Sequence, residues 1–157
     1  MNASFRKVLS SIHLLEDAAL VLSLTAMLLM ALLQILLRNL ADSGFLWAES
    51  FLRILVLWVA ILGAMVATRE RRHISIDLLS RILPASWYKG MAALSSLFAA
   101  VVCGTAAWYS LEYIGYEYED GTIAFASVPV WVCQSILPFG FAVMALRFLV
   151  APVWKAD

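Results

Sequence analysis

Four separate apolar runs, each long enough to cross a bilayer as a helix, constrain this chain more than any other feature. They cover 18–37, 46–67, 90–111 and 130–150. A spanning helix needs about 20 mostly apolar residues. Inside hydrocarbon its backbone groups must be satisfied within the segment itself, which favours the α-helix. The expected fold is therefore an all-α integral membrane protein, with four transmembrane helices in one domain across 1–157. Hydrophobic residues make up 64% of the chain and charged residues 14%, too much apolar surface for a soluble core of this size. Arg6 and Lys7 precede the first run, as in a signal peptide. That run exceeds an ordinary signal-peptide core and no convincing small-residue cleavage site follows, so it is read as retained.

Charge orients the layout. Arg6, Lys7, Arg69, Arg71, Arg72, Arg81, Lys89, Arg147 and Lys155 fall on one side. The other side holds Arg38 with Asp42, Glu112, Glu117, Glu119 and Asp120. The excess of Lys and Arg puts both termini in the cytoplasm. Between the second and third spans, Ile74, Leu78 and Ile82 share a stripe opposite Asp77, Ser80 and Arg81. This predicts a short amphipathic helix over 74–83 on the cytoplasmic membrane surface, ended by Pro84. Residues 112–129 read as a long acidic and aromatic outer loop. Trp47, Tyr109, Tyr113, Tyr116 and Trp131 suit an outer interfacial belt. Pro138, inside the fourth span, removes a backbone donor and predicts a kink.

Several function classes lose their footing. A formal net charge of zero offers no basic footprint for nucleic acid. Cys103 and Cys133 lie in spans and read as small apolar residues. His13 and His73 lie outside the spans, which argues against a bis-histidine haem and with it the haem-bearing form of a membrane anchor for electron transfer. No nucleotide loop, nucleophile–base set or metal spacing appears, so neither enzymatic activity nor a cofactor is expected.

The second span carries Glu49 and Arg53, four residues apart and able to pair on one helix face. Ionisable residues in a span mark a functional site or face protein. Glu49 falls near the interface and Arg53 about 6 Å deeper, at ~1.5 Å per residue. One reading is an ion or substrate site. The other is a neutralised pair packed against a helix or partner, which a single shallow pair suits better. Arg38 can snorkel to lipid headgroups or reach across to Glu49. The run from Arg69 to His73 is a topology determinant or a docking surface, and Asp77 can pair with His73 on the surface helix. Small residues recur four apart at Ala60 and Ala64, Gly63 and Ala67, and Ala100 and Gly104, which permits close helix approach.

Taken together, Glu49-x-x-x-Arg53, Trp58-x-x-x-Leu62-Gly63-Ala64, the Arg69–Arg72 run, His73-Ile-x-Ile-Asp77 and Val128-Pro129-x-Trp131 give the chain a family likeness. It resembles the small membrane subunit, Q- or DctQ-type, of tripartite ATP-independent periplasmic (TRAP) transporters. The resemblance implies a non-catalytic inner-membrane subunit of a bacterial or archaeal sodium-coupled importer of organic acids. It implies two protein partners besides membrane lipids: a large M-type membrane subunit carrying the sodium and substrate sites, and a periplasmic substrate-binding protein. Carried over, Glu49, Arg53, Trp58, Gly63, Arg69, His73 and Asp77 would serve the subunit interface or its structure. Arg38, Asp42, Glu117, Glu119 and Asp120 would help dock the binding protein. The competing reading is a self-sufficient four-helix proton-coupled transporter acting as a dimer, with Glu49 as its coupling carboxylate.

Overall fold

The computed structural model describes residues 3–40, 44–45, 47–70, 85–125 and 127–150. Helices dominate: α1 (Ala3–Leu40), α2 (Ala48–Glu70), α3 (Ala85–Asp120), α4 (Val130–Gln134) and α5 (Ile136–Val150). Among the described residues, four stretches are long and apolar enough to cross a membrane: Ser10–Leu40, Ala48–Arg69, Gly90–Asp120 and Val130–Val150, the last comprising α4 and α5. The surface helix expected over 74–83, with His73 and Asp77, lies outside the described residues, as does Asp42.

The helices pack in the order α1, α2, α5, α3. α2 is central, with α1 against one side and α5 against the other, and α3 packs on the far side of α5. Ile61, Leu62 and Met65 of α2 meet Ile136 and Met144 of α5 in the core, and Leu20 of α1 packs against them. Little else is buried. Leu22 and Leu29 on α1 and Leu94 and Phe98 on α3 are all exposed. That distribution suits a chain whose solvent is lipid, where helices associate by close packing and not by escape from water.

One close approach organises the centre. A Cβ built on Gly140 would run into Cγ2 of Ile61, so only glycine lets α5 come this near α2. Just ahead of it, the fourth span is interrupted at Ser135, between α4 and α5. The Pro138 ring crowds the carbonyl four residues back and brings no N–H of its own, so the regular ladder cannot run through 134. Ser135 instead closes a tighter turn, its backbone N–H and its hydroxyl both donating to the Val132 carbonyl. The kink expected from Pro138 is thus a break at Ser135.

Two expectations need correction. The segment 112–129 is not a long loop: α3 continues helically through Asp120. The extension is supported by i,i+4 side-chain pairs, with the Tyr113 hydroxyl donating to Glu117 at 2.8 Å and the Tyr116 hydroxyl to Glu112 at 3.0 Å. Gly121 then ends the helix at φ +62°, a left-handed conformation glycine adopts without a Cβ penalty. Second, the described fold is not wholly helical. β1 (Ile123–Phe125) and β2 (Val128–Pro129) form a small antiparallel hairpin, pairing Ile123 with Pro129 and Phe125 with Val128.

The hairpin folds back over the start of α2. Phe125 meets Phe51 edge-on at 5.2 Å between ring centroids and stacks on Trp47 at 6.4 Å. Phe45 adds a fourth ring, 5.6 Å from Trp47. Its carbonyl accepts from the Gln34 side chain of α1 at 3.4 Å and from the Ala48 backbone at 3.0 Å. The molecule therefore has a hairpin end, with this aromatic cap, and an opposite end where α2 and α5 terminate.

Candidate functional site

At that opposite end, four charged side chains from three helices meet. Glu16, buried on α1, accepts a hydrogen bond from Nη2 of Arg147 on α5 at 2.5 Å. The other guanidinium nitrogen of Arg147 donates to the backbone carbonyl of Met65 on α2. Arg69 on α2 donates to Asp17 on α1 at 2.7 Å and to the His13 carbonyl at 3.3 Å. It also lies 3.8 Å from the second oxygen of Glu16. Two carboxylates and two guanidinium groups thus balance in charge. Arg147 shares the Met65 carbonyl with the Thr68 hydroxyl, which donates to it at 2.7 Å, about one turn before α2 ends. Charge-assisted bonds of this kind are stronger than neutral ones. The arrangement is a clasp: it ties α1 and α5 to the same turns of α2.

Sequence reasoning singled out Glu49 and Arg53 as the ion pair within a span and missed this cluster. In the sequence Arg69 reads as an interface or topology residue and Arg147 only as one of the basic residues on one side, while Glu16 and Asp17 carry no reading. The available signal was an acidic pair directly ahead of a charge-free apolar run, on the side where basic residues accumulate.

The Glu49–Arg53 pair does form, at 3.0 Å. It is not buried within this chain: the two side chains are 80% and 79% exposed on the outward face of α2. Arg38 is exposed too, and among the described residues it does not join Glu49. Trp58 has a defined role, its indole N–H donating to the Cys133 carbonyl at 2.9 Å beside the break in the fourth span. Gly63 faces α1, and a Cβ there would meet Leu20 at ordinary contact distance. Glu117 caps the turn after α3 by accepting from the Thr122 hydroxyl at 2.7 Å. Glu119 and Asp120 are exposed at the same helix end. Among the described residues, His, Cys, Asp and Glu do not assemble in groups able to hold a metal ion.

This is a multi-pass helical membrane protein with an internal charge clasp at one end and an exposed ion pair toward the other. Comparison with known proteins narrows the class. The family model described as "Tripartite ATP-independent periplasmic transporters, DctQ component" matches residues 27–156. The chain belongs to that family, the small permease subunits of TRAP transporters. It is 28% identical over 98 residues to the ectoine TRAP transporter small permease protein TeaB of Halomonas elongata, covering 62% of this chain and 51% of that protein. It is 27% identical over 107 residues to the C4-dicarboxylate TRAP transporter small permease protein DctQ of Rhodobacter capsulatus, covering 68% and 47%. A third relative is the isethionate TRAP transporter permease protein DctMQ of Oleidesulfovibrio alaskensis, 25% identical over 104 residues, 66% of this chain but 16% of that one. The matches to the two small permease proteins span about half of each relative's length.

Proposed function

We propose that this chain is the non-transporting small membrane subunit of a sodium-coupled TRAP importer of organic acids, packed against the scaffold of a larger M-type subunit. The family match over residues 27–156 carries this reading. The DctMQ relative supports the pairing, because the stretch resembling this chain is a small part of one much longer permease chain. The names of the relatives, for C4-dicarboxylate and isethionate transport, support small organic acids as cargo.

In the proposed topology both termini are cytoplasmic, the clasp lies on the cytoplasmic side and the aromatic cap faces the periplasm. Arg69, His73 and Asp77 then belong to the cytoplasmic surface, with the helix at 74–83 lying on the membrane. Arg38, Asp42, Glu117, Glu119 and Asp120 lie where a periplasmic binding protein would dock. Glu49 suits an assembly role better than that of a coupling carboxylate: it is paired with Arg53 and sits on an outward face, not in a polar path between helices.

Reconstitution tests the reading. Proteoliposomes are prepared with this chain present or omitted, together with its large membrane subunit and binding protein, under a sodium gradient. Uptake that requires all three supports the proposal. Proton-coupled transport by this chain alone would overturn it.

A further inference from the structure

The exposed residues of α2 are not scattered. Glu49, Arg53, Val56, Ala60 and Ala67 are the exposed positions from Ala48 through Arg69. Their spacing of four, three, four and seven places them on one stripe along the whole helix. Gly63 borders that stripe on the side of α1. Among the described residues, α1 and α5 cover the two flanks of α2 and leave this face open.

The stripe differs chemically from the exposed faces at the two edges of the molecule. Those faces mix bulky apolar side chains, such as Leu22 and Leu29 on α1 and Leu94 and Phe98 on α3, with small ones, and among the described residues neither carries an ion pair between residues of its own helix. Such faces suit acyl chains. The α2 stripe combines Val56 and the small side chains at Ala60 and Ala67 with an ion pair at its other end. Small side chains let a second helix backbone approach closely. A guanidinium more than one turn into a membrane-length apolar helix is costly against lipid and is retained where protein covers it. Both properties describe a face built for a helix.

Resting on the proposed function, we infer that this stripe is the seat of a transmembrane helix from the large M-type subunit. That helix crosses closely at Ala60 and Ala67 and presents a polar or charged group at the level of Glu49 and Arg53. The edge faces of α1 and α3 are left to lipid. Continuity supports this occupant: in the DctMQ relative the corresponding small region and a much larger permease region are one chain.

The test is site-specific photocrosslinking in membranes containing the complete transporter. A photoreactive side chain replaces Val56 or Ala60 on the stripe, and Leu29 or Phe98 on the edges. The stripe positions are expected to give a crosslinked product with the large subunit, about tenfold above the edge positions, the ratio set by ~1.4 kcal/mol of preferential occupancy. Ala60→Trp, which fills the face, is expected to reduce co-purification of the large subunit while Leu29→Trp does not. Crosslinks to the large subunit from Leu29 or Phe98 alone would overturn the placement and leave the subunit reading standing. Crosslinks from the stripe to a second copy of this chain would overturn it in favour of a homodimer. An unmodified chain that fails to co-purify with the large subunit would overturn the subunit reading itself.

Discussion

Glu16 and Arg147, 131 positions apart, join the first helix to the last through a charge-assisted hydrogen bond. Because Arg147 also holds the Met65 carbonyl, α2 is included in the same contact. Glu16→Gln leaves the partly buried Arg147 guanidinium without its counter-charge. The expected cost is about 3 kcal/mol, the lower edge of the range for breaking a buried pair, since the Met65 contact persists. Thermal unfolding in detergent, followed by tryptophan fluorescence, should show a clearly lowered midpoint. Removing both charges, as Glu16→Gln with Arg147→Met, should cost less than Glu16→Gln alone; an additive loss would contradict the pairing.

The second half of the clasp is more open, and its two members should differ. Asp17 is 46% exposed, so Asp17→Asn should cost under about 1 kcal/mol, as for other partly solvated pairs. Arg69→Ala also removes the bond to the His13 carbonyl and the charge near Glu16. It should exceed Asp17→Asn by roughly 1 kcal/mol or more. Equal unfolding midpoints for the two variants would argue against Arg69 as the shared cation.

Trp58→Phe keeps an aromatic ring at the core and deletes the donor to the Cys133 carbonyl. A loss of about 1 kcal/mol is expected, typical of one intramolecular hydrogen bond. Faster amide exchange near Ser135 would locate that loss at the helix break. A uniform change along α4 and α5 would not fit.

Gly140→Ala drives a methyl into Cγ2 of Ile61. Overpacking of this kind costs about 1–3 kcal/mol. The same substitution should be milder when Ile61 is already alanine, because the obstructing atom is gone. A double-mutant cycle without coupling would mean that α2 and α5 do not approach as closely as described.

Glu49→Gln should weaken assembly with the large subunit while leaving the isolated chain nearly as stable, since the pair is exposed there. Exchanging the two residues should harm assembly less than Glu49→Gln does. Recovery of the complex by affinity purification measures both. Damage from the exchange equal to that from the single change would show that the partner reads geometry and not charge balance.

The spans were legible because hydropathy is a local property: a run of apolar residues announces its solvent whatever its neighbours do. The Pro138 break was legible for the same reason, since a missing N–H acts within one turn. The continuation of α3 to Asp120 was legible in principle. Tyr113 and Glu117, like Glu112 and Tyr116, stand at helical spacing, but the acidic and aromatic composition of 112–129 is equally that of a solvated loop. The clasp was not legible. Glu16 and Asp17 precede a charge-free run, and in a linear reading they look like part of a solvated tail. Their partners are determined by which helices become neighbours.

The sequence by itself determined that the chain carries four runs apolar and long enough to cross a membrane and that Glu49 and Arg53 share one helix face. Helical periodicity and transfer from water to lipid decide those things over a few turns. Tertiary structure alone decided that α2 lies between α1 and α5, that Glu16 meets Arg147, and that the Glu49–Arg53 stripe faces outward. Each depends on contacts between segments tens of residues apart. Their energies come from close approaches, such as Gly140 against Ile61, that exist only once the helices are side by side.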